Sequence, residues 1–268
     1  MIKLACIDLD GTLLDNGKSI SKRNIKALRE AHKNGVEIVL ASGRRYGSIL
    51  PYAKEIGIDC YIIAYSGSLI QHSQSKTPIF HKTMSWQDTA ELIGLVANKV
   101  GLIGFYIDDI FHIEQENSWS RMYEDRTTMK CKVVPNLISF LHETKRDPTR
   151  VFILSETIND GTMYYELKQH FDGRLMFVSS WATFLEAGAP EITKGTSLKV
   201  LAEKNSWDLR KGVCFGDQDN DIPMFDVCGM SFAMKNATDR VKRMAKFVAP
   251  SNYDSGVAII IERLMEYR

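Results

Sequence analysis

The chain has 268 residues, 44% hydrophobic and 25% charged, with a formal net charge of +1. That balance suits a globular chain with a substantial core and gives no electrostatic case for nucleic acid or a membrane surface as a partner. Five scattered cysteines without a C-x-x-C pair, no apolar run of membrane-spanning length and no charged leader before the first strand lead to the expectation of a cytoplasmic protein with reduced thiols.

An apolar run from Ile2 to Leu9 reads as a buried strand that breaks on Asp8-Leu9-Asp10-Gly11-Thr12. Side chains at i and i+2 of a strand point the same way, so Asp8 and Asp10 are expected to emerge together where it stops. Two carboxylates that close repel unless a cation or a shared proton compensates. Asn16-Gly17 marks a turn, Ser19 or Ser21 can cap a helix carrying Ile25, Leu28 and Ala31, and Gly35 ends it. Val36–Ala41 is a second buried strand closing on Ser42-Gly43-Arg44. A helix then runs through Tyr52, and Cys60–Tyr65 is a third strand closing on Ser66-Gly67. Strands alternating with helices predict a parallel α/β sheet, in which ligands bind beyond the carboxyl ends of the strands.

The rhythm changes after residue 80. Ser85 opens a helix to about Lys99, and Leu102–Ile107 with Ile110–Ile113 flank Asp108-Asp109 as a hairpin. Helices are predicted near 118–126, 136–143 and 160–171, and strands at Val151–Leu154, Leu175–Val178 and Thr183–Glu186. Residues 83–187 are therefore expected to form a separate α/β insert between core segments 1–82 and 188–268. The parallel rhythm resumes with a helix after Lys194-Gly195 and a strand, Gly212–Phe215, ending on Gly216-Asp217-Gln218-Asp219-Asn220-Asp221. A strand at Met230–Met234, a short one at Val248-Ala249 and a terminal helix complete the chain.

Four polar clusters are thus expected at strand ends of one sheet: Asp8/Asp10, Ser42/Gly43, Lys194 and Asp217/Asn220/Asp221. Each alone also occurs as an ordinary loop or solvated surface group. Together they are complementary. Carboxylates without neighbouring cysteine or histidine are hard donors that suit Mg²⁺. A hydroxyl, a glycine amide, a lysine and an asparagine amide can hold an anion such as phosphate. Carboxylates for a metal beside donors for an anion describe a phosphoryl-transfer site.

These stretches resemble the motifs of the haloacid dehalogenase superfamily of phosphatases, in its Cof-type subfamily. Asp8-Leu9-Asp10-Gly11-Thr12 matches the first motif, Ala41-Ser42-Gly43-Arg44 the second, Lys194-Gly195 the third and Gly216–Asp221 the fourth. Ala233-Met234-Lys235-Asn236-Ala237 and Asn252-Tyr253-Asp254-Ser255-Gly256 add support. Ser42 stands where the family often has threonine, Ser66-Gly67 where it often has Asn-Gly, and Ala189–Thr193 is an untypical approach to Lys194.

The resemblance implies a Rossmann-like parallel-sheet core with the insert as an α/β cap that selects substrate. It implies a Mg²⁺-dependent phosphatase acting on a small phosphate ester, a sugar phosphate or a phosphorylated cofactor, with Asp8 as nucleophile and Asp10 as acid and base. Asp8, the main-chain carbonyl of Asp10, Asp217 and Asp221 would then hold the metal, and Leu9, Ser42, Gly43, Lys194 and Asn220 the phosphoryl oxygens. Asp108, Asp109, Trp119, Arg121, Tyr123 and Trp181 are polar or aromatic candidates in the cap, although for each a surface or small-core role is the favoured reading. Two other readings fit part of the pattern: a phosphomutase, and a receiver-like domain phosphorylated on Asp8. Oligomeric state is not legible in the sequence.

Overall fold

The computed structural model describes residues 2–15, 18–127, 129–156, 161–181 and 183–266; the predicted Asn16-Gly17 turn lies outside them. The chain runs β1 (Leu4–Asp8), α1 (Lys22–Lys33), β2 (Glu37–Ala41), α2 (Tyr46–Ile56), β3 (Tyr61–Ala64), β4 (Leu69–His72) and β5 (Phe80–His81). Then follow α3 (Trp86–Val96), β6 (Leu102–Ile107), β7 (Ile110–Ile113), α4 (Ser118–Thr127), β8 (Lys132–Val133), α5 (Leu137–Thr144), β9 (Arg150–Leu154), α6 (Thr162–His170), β10 (Met176–Trp181) and β11 (Phe184–Gly188). The last segment is α7 (Lys194–Asn205), β12 (Gly212–Gly216), α8 (Ile222–Phe225), β13 (Met230–Met234), α9 (Asp239–Met244), β14 (Phe247–Ala249) and α10 (Gly256–Glu266). Two compact units result, one comprising the chain up to Phe80 and from Thr193 onward, the other His81–Ile192.

The core sheet has the order β14-β13-β12-β1-β2-β3-β4-β5. Its inner pairs, from β14 through β3, are parallel. Every residue of β1 and β12 is buried, which is why both read as continuous apolar runs rather than alternating ones. From β1 the sheet grows to β2 on one side and to β12 on the other, so the crossovers diverge and a crevice opens at the carboxyl ends of these strands. Ser21 caps α1 by accepting from the Asn24 amide, as the sequence led us to expect. The antiparallel strand β4 was not anticipated. It follows β3 through a tight turn in which Tyr65 (φ 52°) and Ser66 (φ 53°) are left-handed, a conformation that neither residue type advertises.

The second unit is built on the sheet order β10-β11-β9-β6-β7-β8, antiparallel except at β7–β8. Asp108 (φ 52°) and Asp109 (φ 63°) form the two-residue turn of the predicted hairpin, with the positive φ values of a type I′ turn. One face of the sheet buries Ile103, Phe105, Val151, Ile153 and Leu185 against Leu92 and Ile93 of α3 and Leu137 and Leu141 of α5. Each such side chain contributes about 1.5–3 kcal/mol on burial. Among the described residues no helix is long and apolar enough to cross a membrane.

Candidate active site

Because β1 lies between β12 and β2, the residues that end or follow these strands leave the sheet side by side: Asp8, Asp217 and Ser42. Lys194 reaches them from the first turn of α7, not from the end of a core strand as the sequence reading had it. Its Nζ lies 2.6 Å from Asp8 Oδ1 and 2.6 Å from Asp221 Oδ1, with the side chain fully buried. Asp221 Oδ2 accepts from the main-chain N–H of Asp217 at 2.9 Å and of Gln218 at 3.0 Å. Asp217 accepts from the Thr12 hydroxyl at 3.2 Å and the Gln218 side-chain amide at 3.0 Å. One carboxylate oxygen from each of Asp8, Asp217 and Asp221 lies within 4.8 Å of the others.

Two glycines permit this closeness. Gly11 has φ +78°, and a Cβ there would strike the Asp217 carboxylate; a Cβ on Gly195 would strike the Pro223 carbonyl where α7 meets α8. A capping box of Thr193 and Thr196 fixes the start of α7, and with it Lys194. Three asparagines hold the loop after β1 by its carbonyls. Asn236 Nδ2 donates to Gly11 O at 2.7 Å, Asn24 to Leu13 O at 3.2 Å and Asn252 to Leu14 O at 2.8 Å.

On the other side of Asp8, Ser42 is buried and its Oγ accepts from the Arg44 N–H at 3.2 Å. A Cβ built on Gly43 would lie 3.3 Å from Ser66 Oγ and 4.0 Å from Asn220 Nδ2, so these donors are neighbours. Leu9 is fully buried, and its carbonyl accepts from the N–H groups of Thr12, Leu13 and Leu14. That tight turn separates the two aspartates expected to emerge together. Asp8 is buried on Lys194, whereas the Asp10 carboxylate is half exposed and paired with Arg44, at 2.6 and 2.7 Å. The strand ends at Asp8, so its two-residue alternation does not extend to Asp10.

Burial raises the Asp8 carboxyl well above the ordinary carboxylate range, and Asp221 adds to this while Lys194 opposes it. Burial, with Asp221 beside it, pushes Asp217 up to about 6. For Lys194 burial alone would favour the neutral amine, but the Asp221 and Asp8 carboxylates reverse this and raise it above its ordinary value. Three carboxylates cluster around a single ammonium, which pairs with two of them, Asp8 and Asp221, while Asp217 has only neutral donors among the described residues, so the cluster carries more acidic than basic groups. A donor set made only of oxygens and short of positive charge fits a hard divalent cation such as Mg²⁺.

The sequence reading did not find Thr12, Gln218 or Asn24 as parts of this site. Asn24 had a signal: it lies on the buried stripe of α1 with Ala27, Leu28 and Ala31, where a polar side chain needs a partner. Of the insert candidates, Tyr123 is buried and shares a 2.7 Å hydrogen bond with Tyr106, and Asp108 pairs with Arg146 at 2.5 Å. Trp119 packs its indole against Gly101, and Arg121 is exposed. Asp109 stands in the hairpin turn, and the Trp181 side chain lies outside what is described.

Comparison with known proteins bears on this arrangement. The family model for haloacid dehalogenase-like hydrolases matches residues 5–261. A Haemophilus influenzae protein is 30% identical over 264 residues, covering 98% of both chains. A pyridoxal phosphate phosphatase from Escherichia coli is 26% identical over 271 residues, covering 97% of both. An X-ray crystal structure from Thermotoga maritima superposes with a TM-score of 0.89 at 28% identity, covering 98% of this chain and 97% of the other.

Proposed function

The chain belongs to the haloacid dehalogenase-like hydrolase family, in its Cof-type branch, and from that premise we propose a phosphatase that passes the phosphoryl group of a small phosphorylated metabolite to water through Asp8. The observation that carries this reading is the Lys194 ammonium, shared between Asp8 and Asp221 beside Asp217. It opposes the protonation that burial favours at Asp8 and holds that carboxylate in place, as an attacking group requires.

Asp8 attacks phosphorus in line, the ester P–O bond breaks, and an aspartyl-phosphate forms. Asp10 gives a proton to the departing oxygen, then accepts one from the water that attacks phosphorus, which releases phosphate and restores Asp8. The Ser42 hydroxyl, the Leu9 and Gly43 N–H groups, the Asn220 amide and Lys194 would hold the phosphoryl oxygens. Asp8, the Asp10 main-chain carbonyl, Asp217 and Asp221 would hold Mg²⁺, which supplies the positive charge a phosphate dianion needs beside three carboxylates.

We assign choice of the ester's organic part to the 81–192 unit. The name of the Escherichia coli relative supports a phosphorylated cofactor as one class of substrate, with sugar phosphates the other. Five free thiols support a reducing, cytoplasmic setting.

The test is phosphate release from an aryl phosphate and from a panel of phosphorylated metabolites, with Mg²⁺ and with chelator. Turnover that needs Mg²⁺ and yields free phosphate is expected. Absence of turnover on the whole panel would refute the reading, and an isomerised ester in place of phosphate would make the protein a mutase.

A further inference from the structure

Arg44 stands one residue beyond the Ser42-Gly43 pair, in the loop between β2 and α2. Its Nε donates to Asp10 Oδ2 at 2.7 Å and its Nη2 to Asp10 Oδ1 at 2.6 Å, so the planar fork engages both oxygens of that carboxylate. The third nitrogen, Nη1, donates to the Tyr52 hydroxyl at 3.2 Å, and the guanidinium lies 5.4 Å from the Tyr52 ring centroid. The backbone is tied as well: the Arg44 N–H donates to Ser42 Oγ, and its carbonyl accepts from the Tyr65 N–H at 2.9 Å. A guanidinium anchored this way is a fixed bracket. Asp10, by contrast, has a half-exposed side chain in a loop, and among the described residues Arg44 is the side chain that fixes its rotamer.

We propose that Arg44 is a positioning residue that fixes the Asp10 carboxylate for its two proton transfers, with Tyr52 as the support behind it. The proposal rests on the role given to Asp10 above. A carboxylate has about four lone-pair sites; two accept from Arg44, and the remaining ones are left for the departing oxygen and the incoming water. Lysine at 44 keeps the charge but has one point donor in place of a fork, so Asp10 regains rotation about its side-chain bonds. Misplacement of a reacting group by 1 Å can cost on the order of 100-fold in rate.

The leaving group separates this role from others. A nitrophenolate departs with little need of a proton, whereas an alkoxide needs one, so loss of Asp10 positioning should slow alkyl esters far more than aryl esters. Arg44→Lys and Tyr52→Phe would be compared with wild type on nitrophenyl phosphate and on a simple alkyl phosphate, both with Mg²⁺.

For Arg44→Lys we expect kcat on the alkyl ester to fall by about 10–100-fold, with a much smaller fall on the aryl ester and KM nearly unchanged. Tyr52→Phe should show the same pattern at smaller size. Placing Arg44→Lys on an Asp10→Asn background should add little, since the positioned group is already gone. Equal losses on both esters, or a rise in KM alone, would overturn the proposal and make Arg44 a phosphate-binding group. If Arg44→Lys fails to fold, Tyr52→Phe decides by the same leaving-group comparison. Inactivity of the wild type on both esters would instead overturn the phosphatase reading itself.

Discussion

Replacing Lys194 by methionine keeps the length of the side chain and removes its charge. Lys194 is fully buried and makes two ion pairs of 2.6 Å, to Asp8 and Asp221. Removing one partner of a buried pair costs about 3–5 kcal/mol, because the surviving charge is left without compensation. Two carboxylates survive here, which points to the upper half of that range. Asp8 can relieve part of the cost by taking up a proton, since its carboxyl is already raised by burial and by Asp221. The loss should therefore be larger at pH 8 than at pH 5. Urea unfolding in chelator, followed by circular dichroism, reads it directly. With a slope of about 2 kcal/mol/M, 4 kcal/mol lowers the midpoint by roughly 2 M. A second substitution, Asp221→Asn, removes one of the stranded charges and should return part of the stability. A loss under about 1 kcal/mol at pH 8, or the same loss at both pH values, would refute the reasoning.

Asp217, raised to about 6, binds a proton more tightly in the fold than in the unfolded chain. Its contribution to the stability of the metal-free protein should therefore be fully present below the unfolded carboxyl value and be lost as pH rises through about 6. Mg²⁺ replaces the lost proton, so the rise in Tm it produces should be greater at pH 7.5 than at pH 5; thermal melts that show the reverse order would contradict the site. Gly11→Ala places a Cβ at φ +78° against the Asp217 carboxylate. It should cost about 1–3 kcal/mol and weaken Mg²⁺ binding, measured by calorimetry; wild-type affinity would show that the loop can shift freely. Ser66→Asn suits the left-handed φ of 53° better than serine. A gain of roughly 0.5–1 kcal/mol is expected, seen as a higher Tm, and a lower Tm would mean that the serine hydroxyl beside Gly43 matters more than the backbone.

The parallel core was legible because its strands are buried on both faces and its helices carry their caps in the sequence. β1 and β12 announce themselves as apolar runs that break on aspartates. The turn into β4 was not legible, because Tyr65 and Ser66 adopt left-handed geometry where a glycine or asparagine would have signalled it. In the site, the residue types pointed to the chemistry but not to the partners. Lys194 is 186 residues from Asp8, and nothing local in either stretch states that they touch. The pairing of Asp10 with Arg44 depends on where β1 stops and on the turn closed by the Leu9 carbonyl, a detail that strand alternation misjudged.

The role of Asp8 is the centre of the account, and Asp8→Asn tests it most directly. The variant keeps the size of the side chain and removes the attacking charge, while the Lys194–Asp221 pair at 2.6 Å remains to hold the site. With folding checked by circular dichroism, phosphate release in Mg²⁺ should fall by a factor on the order of 10⁴–10⁶. Turnover within about tenfold of wild type, by a protein shown to be free of deamidation back to aspartate, would contradict the account.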